Sequence, residues 1–176
     1  MKRNVAIHES SHAVVAAAMG HAVDVVWIGA SLSDGKWSGQ TCWKSDHPDD
    51  SIEDSMIKIA GRIGETLFAS SGFNPRLNRS EARALNTAAG SVAARTGRAA
   101  SDIAAEAVII VRVILTDHAS LIEKIADRLE CSGLLGPSEL GHLLAPVGRL
   151  GCPIPFGGSR SVSKNSLLLP GDSPPF

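Results

Sequence analysis

The 176-residue chain contains no tyrosine, and aromatic residues make up only 4% of it. Alanine and aliphatic residues dominate instead, which favours a helical core over a β-sandwich. Cysteine is scarce as well. Cys42, Cys131 and Cys152 are far apart, odd in number and without a CxxC pairing. That pattern argues against a disulfide framework and against a cysteine-type zinc site, and predicts reduced thiols in a cytoplasmic protein. Charge of one sign is missing too: 17 basic residues face 18 acidic ones, for a formal charge of -1. No basic field points to nucleic acid, and no acidic tail points to a sequestering role. Long apolar runs are also lacking. The first apolar stretch is interrupted by His8, Glu9 and His12, so no secretory signal is expected. The longest, Ala104 to Leu115, contains Glu106 and Arg112 and is too short to span a bilayer. No membrane segment is expected in this chain, although a partner can supply one. There is no internal repeat.

Periodicity predicts a mainly α (α+β) fold in one domain over residues 1–146. A first helix is expected from about Val5 to Met19, with Gly20 as its C-cap. Val23, Val25 and Trp27 alternate as in a strand, Ser33-Asp34-Gly35-Lys36 supplies a turn, and Trp37 to Trp43 returns as a second strand. His47 to Asp50 reads as a loop. Ile52, Met56, Ile59, Ile63 and Leu67 form the stripe of a helix ending near Ser70, and Ser71 to Pro75 breaks it. Further helices are predicted from Arg79 to Arg95, weakening near Gly90, and from Ser101 to about Asp117. Another is expected from a Ser120/Glu123 capping box to Gly133, and a last short one over Ser138 to Leu144. Residues 147–176 are rich in Gly, Pro and Ser and lose periodicity, which predicts a disordered tail.

His8-Glu9-Ser10-Ser11-His12 is an H-E-x-x-H sequence within the first predicted helix. Residues four apart share a helical face, so both imidazoles can converge on one metal ion. Glu9 stands beside them, where it can hold a metal-bound water and take its proton. Zinc lowers that water's pKa to about 7. The same carboxyl can then pass the proton to a leaving amine. The pattern arises by chance in roughly half a percent of chains this long. Two histidines and a glutamate on a helix flanked by Ala13-Val14-Val15-Ala16-Ala17-Ala18 would also be costly to bury without a metal.

With these residues and the following Gly20-His21-Ala22-Val23-Asp24-Val25-Val26, the chain resembles the peptidase domain of the FtsH-type ATP-dependent zinc proteases. That family has HEAGHAVV, a small turn and then a strand. Gly39-Gln40-Thr41 resembles its second strand, and Ala60-Gly61-Arg62-Ile63-Gly64-Glu65-Thr66-Leu67-Phe68 resembles its GGRAAEELxFG segment. Residues from about Ala105 to Leu144 are similar to its closing helices, so the resemblance covers about residues 5 to 145. The family motif has Gly where this chain has Ser11. The family's ATPase module and membrane segments have no counterpart: Gly29 to Lys36 lacks the spacing and final hydroxyl residue of a P-loop.

The resemblance implies a helical metallopeptidase domain, with a small β-hairpin or sheet beside the HExxH helix. It also implies Zn2+ held by His8 and His12, and Glu9 as general base. A catalytic zinc site needs a third protein ligand. The family draws it from an aspartate at a helix start shortly after the GGRAAEE segment. Glu81 sits at nearly that distance from Arg62; Asp102 is the alternative, and each also reads as an ordinary helix-start acid. His47, His118 and Cys42 are weaker candidates. The expected substrate is unfolded polypeptide laid along the Trp37 to Trp43 edge as an added strand. Family members form hexameric rings, so a homo-oligomer or a separate ATPase partner stays open. The alternatives are a catalytically inactive zinc-binding relative acting as a protein-interaction module, and a helical interaction protein with a chance motif.

Overall fold

The computed structural model describes residues 2–44, 51–68 and 77–148. Among them are six helices and a small antiparallel sheet, in agreement with the mainly α (α+β) expectation. The first helix, α1, spans Lys2–Ala18 and is buried on most of its circumference, from Ala6 and Ile7 through Ala13 to Ala16. Its alanines and serines are small enough to let neighbours close in on every side. Ser10 and Ser11 satisfy their buried hydroxyls by donating to the carbonyls of Ala6 and Ile7, each at 2.7 Å. Gly20, at φ 87°, ends the helix, and the His21 N–H bonds back to Ala16.

Strands β1 (Ala22–Ala30) and β2 (Trp37–Lys44) pair as an antiparallel hairpin, with Ala30 opposite Trp37 and Val26 opposite Thr41. A bulge between Val23 and Val25 shifts the register at the far end. Gly35, at φ 65°, makes the turn, and the Lys36 N–H donates to Asp34. The sequence gives no hint of β3, a two-residue strand over Leu134–Leu135 that pairs with the other side of β1. Its register is set by Gly133, whose carbonyl accepts from the Ile28 N–H at 2.8 Å. The order is β2-β1-β3, so β2 is an edge strand.

Helix α2 (Ile52–Phe68) follows, its Asp54 N–H bonded to the Ser51 hydroxyl. Helix α3 (Arg79–Thr96) is continuous through Gly90, where weakening was expected; only Leu85, Ala88, Ala89 and Val92 are fully buried along it. Helices α4 (Ala100–Asp117), α5 (Ala119–Ser132) and α6 (Pro137–Leu144) complete the elements among the described residues. The predicted Ser120/Glu123 capping box does not form. His118 occupies the N-cap of α5 without a side-chain cap bond. The box is instead at α3, where Asn78 and Glu81 bond each other's backbone N–H groups. Gly133, at φ 76°, closes α5 as expected.

One core joins these elements, centred on Ile7, Met56, Ile59, Ile103, Leu115, Ile122 and Leu129. Val147, assigned to the tail by composition, is buried against that core. No helix among the described residues is long and apolar enough to cross a membrane. The predicted loop at His47 to Asp50, the break at Ser71 to Pro75, Cys152 and nearly all of the predicted tail lie outside the described residues.

Candidate metal and catalytic site

Helix α1 turns His8 and His12 toward α2 and Glu9 toward β2. The two imidazoles stand edge to face, their centroids 4.6 Å apart. They converge above Gly61 of α2. A methyl group on Gly61 would lie 2.4 Å from His8 Nε2 and 2.6 Å from His12 Nε2. Both nitrogens are therefore within 2.6 Å of a single point, and only glycine leaves them room.

The opposite ring nitrogens face acceptors. His12 Nδ1 donates to the Ile57 carbonyl at 2.6 Å, which leaves the Nε2 lone pair available. Burial, reinforced by the neighbouring His8, lowers the His12 pKa to about 3, so the ring is held neutral, as a metal ligand must be. His8 Nδ1 lies 3.2 Å from Glu65 Oε1, a close electrostatic contact rather than an aligned hydrogen bond. Burial alone would push the Glu65 carboxyl up. His8 and Arg62 outweigh it and leave the group below its usual range, with Arg62 Nη1 2.9 Å from Oε2. A carboxylate behind a ligating histidine orients the ring and raises its basicity.

Glu9 is 5% exposed, and burial raises its pKa against the opposing pull of a Thr41 hydrogen bond. A carboxyl whose pKa is raised in this way is a stronger base than a solvated one. Glu9, His8 and His12 open into a cavity of about 530 Å³, bounded by Thr41 and Trp43 of β2 and by Glu81 at the start of α3.

Glu81 thus reaches the cavity that holds the two histidines, but its carboxylate is otherwise engaged. One oxygen accepts from the Asn78 N–H at 2.8 Å, and the other lies 3.9 Å from Arg62 Nε. Asp102 is exposed in the first turn of α4 and does not line the cavity. Cys42, a free thiol, alternates away from Thr41 and Trp43 on β2 and is not part of the wall either. His118 joins α4 to α5, and His47 lies outside the described residues. Among the described residues no group of three or more His, Cys, Asp or Glu side chains is placed to hold a metal ion. The donor set is two converging imidazoles with a carboxylate on the same wall.

A scan against protein-family models and a search of curated proteins return no match. Where the resembled motif has Gly, Ser11 needs extra room, and Gly64 supplies it. A methyl on Gly64 would meet Ser11 Oγ at 1.9 Å. Three contributors carried only the resemblance in the sequence and were given no place in the site: Gly61, Glu65 and Thr41. Gly61 and Glu65 are four apart on α2, as His8 and His12 are on α1, so their common facing was a readable signal. Thr41 carried none, because its contact with Glu9 depends on how the hairpin packs on α1.

Proposed function

We propose that the chain is a zinc-dependent metalloendopeptidase similar to the proteolytic domain of FtsH-type proteases. The observation that carries this reading is the meeting of His8 Nε2 and His12 Nε2 over Gly61, with the buried Glu9 at the mouth of the same cavity. His8 and His12 would hold the zinc, which when bound would supply Lewis acidity toward water and the scissile carbonyl. Glu9 accepts the proton of the attacking water on its carboxylate and returns it to the leaving amine. Edge strand β2 takes the polypeptide as an added strand, which brings its backbone past the cavity. Ile57 and Glu65 hold the two rings in their ligating orientation. Glu81 is the third donor in this reading, through Oε1, since Oε2 accepts from the Asn78 N–H. Any energy-dependent unfolding of substrate comes from a separate ATPase partner or is absent, and a homo-oligomer stays open. The free thiols of Cys42 and Cys131 suit a reducing, cytoplasmic setting.

One observation favours a second reading. With Glu81 tied into a capping box, two histidines alone stand ready, as in an inactive zinc-binding relative that serves as a protein-interaction module. Cleavage of an unfolded polypeptide such as casein by the zinc-supplemented chain, abolished in Glu9→Gln with zinc retained, supports the peptidase. Zinc binding without cleavage in the wild type supports the module.

A further inference from the structure

The carboxylate of Glu9 is held in a slot built by two alternate residues of β2. Thr41, only 6% exposed, places its Oγ1 2.8 Å from Glu9 Oε2 and 3.0 Å from the Glu9 main-chain oxygen. Two positions earlier on the same face, Gly39 lets the side chain lie flat against the strand. A methyl there would come within 2.7 Å of Glu9 Cγ and 3.0 Å of Oε1. Within α1, Ser10 and Ser11 spend their hydroxyls on Ala6 and Ile7, so neither serves Glu9. The two partners that fix the Glu9 rotamer are thus 30 and 32 positions away in sequence, on the edge strand.

We propose that Thr41 is a positioning residue for Glu9: its hydroxyl fixes Oε2 and so presents Oε1 as the oxygen that exchanges the proton. The inference rests on the peptidase reading for its kinetic consequence but not for the contact itself. A carboxylate free to rotate spends less time in the reactive orientation, which lowers turnover without changing how substrate docks. The role also ties the base to the strand that would receive substrate.

The test compares Thr41→Val, which keeps the shape and removes the hydroxyl, with Thr41→Ser, which keeps the hydroxyl. On zinc-loaded full-length protein, Thr41→Val is expected to lower kcat about tenfold or more with KM and zinc content unchanged. Thr41→Ser is expected to stay within about threefold of wild type. The second readout needs no activity: a double-mutant cycle of Thr41→Val and Glu9→Ala, each of which removes one partner of the bond outright, on the unfolding equilibrium in urea. A hydrogen bond to a charged group predicts a coupling of about tenfold or more in the folding constant. Additive effects in the cycle, or an unchanged kcat in Thr41→Val, overturn the proposal. If the wild type cleaves nothing but the cycle shows coupling, the contact stands and the peptidase reading falls.

Discussion

Replacing Gly61 by alanine tests the geometry of the histidine pair most severely. The new methyl would stand 2.4 Å from His8 Nε2, 2.5 Å from His8 Cε1 and 2.6 Å from His12 Nε2, where contacts below 3.0 Å are essentially never found. Both rings must therefore retreat by about half an ångström or more. His12 cannot do so without lengthening its 2.6 Å bond to the Ile57 carbonyl. Overpacking of this kind costs about 1–3 kcal/mol. Alanine in a helix interior recovers about 1 kcal/mol relative to glycine. The net destabilisation is thus about 0–2 kcal/mol, and the protein should stay folded. Zinc affinity should suffer far more, because displaced rings and a broken orienting bond weaken a site by about 10–100-fold. Chelator competition measures the affinity, and thermal denaturation of the metal-free protein measures the fold. Wild-type affinity in folded Gly61→Ala would refute the claim that the two imidazoles share one ion above that residue.

The other predictions use the same reasoning elsewhere in the chain. Gly90→Ala meets nothing within 4 Å and should raise stability by about 0.5–1 kcal/mol, or about 1–4 °C in Tm, which makes it the control for Gly61→Ala. Asn78→Ala removes the side-chain half of the α3 capping box and should cost about 1 kcal/mol in urea unfolding. Because burial lowers the His12 pKa to about 3, the unfolded chain takes up a proton near pH 6.5 that the folded chain refuses. The stability tied to His12 is therefore present above pH 6.5 and is lost as pH falls toward 3. The loss is at most about 2 kcal/mol by pH 5, and less where cavity water reaches the ring. Urea titrations of metal-free protein across this range should show that slope, and His12→Leu should flatten it.

How far the sequence carried varies with the range of the interactions involved. Helices were legible wherever a 3.6-residue stripe met a local stop signal, as in α2 with Ile52, Met56, Ile59 and Ile63, or at the Gly133 end of α5. The hairpin was legible from alternation around Gly35. Strand β3 was not, because two residues carry no period and its pairing hangs on the Gly133 carbonyl reaching Ile28. Local reading also misplaced the capping box. Ser120/Glu123 and Asn78/Glu81 share the same spacing, and the short link between α4 and α5 puts His118 rather than Ser120 at the N-cap. In the site, His8 and His12 come together because a helix imposes their spacing, so the motif alone located them. Glu81 came from the distance that the resemblance implies; it lines the same cavity, but that distance says nothing of its capping bond. Thr41 and Gly39 depend on the docking of β2 against α1, and no local pattern encodes that contact.

The central claim is that His8 and His12 hold a zinc ion that Glu9 serves but does not bind. Elemental analysis of the purified chain, with wild type, His12→Ala and Glu9→Gln measured side by side after zinc is supplied, tests it most directly. One zinc per chain is expected in wild type and Glu9→Gln, with loss of zinc in His12→Ala. No zinc in the wild type, or equal zinc in wild type and His12→Ala, would contradict it.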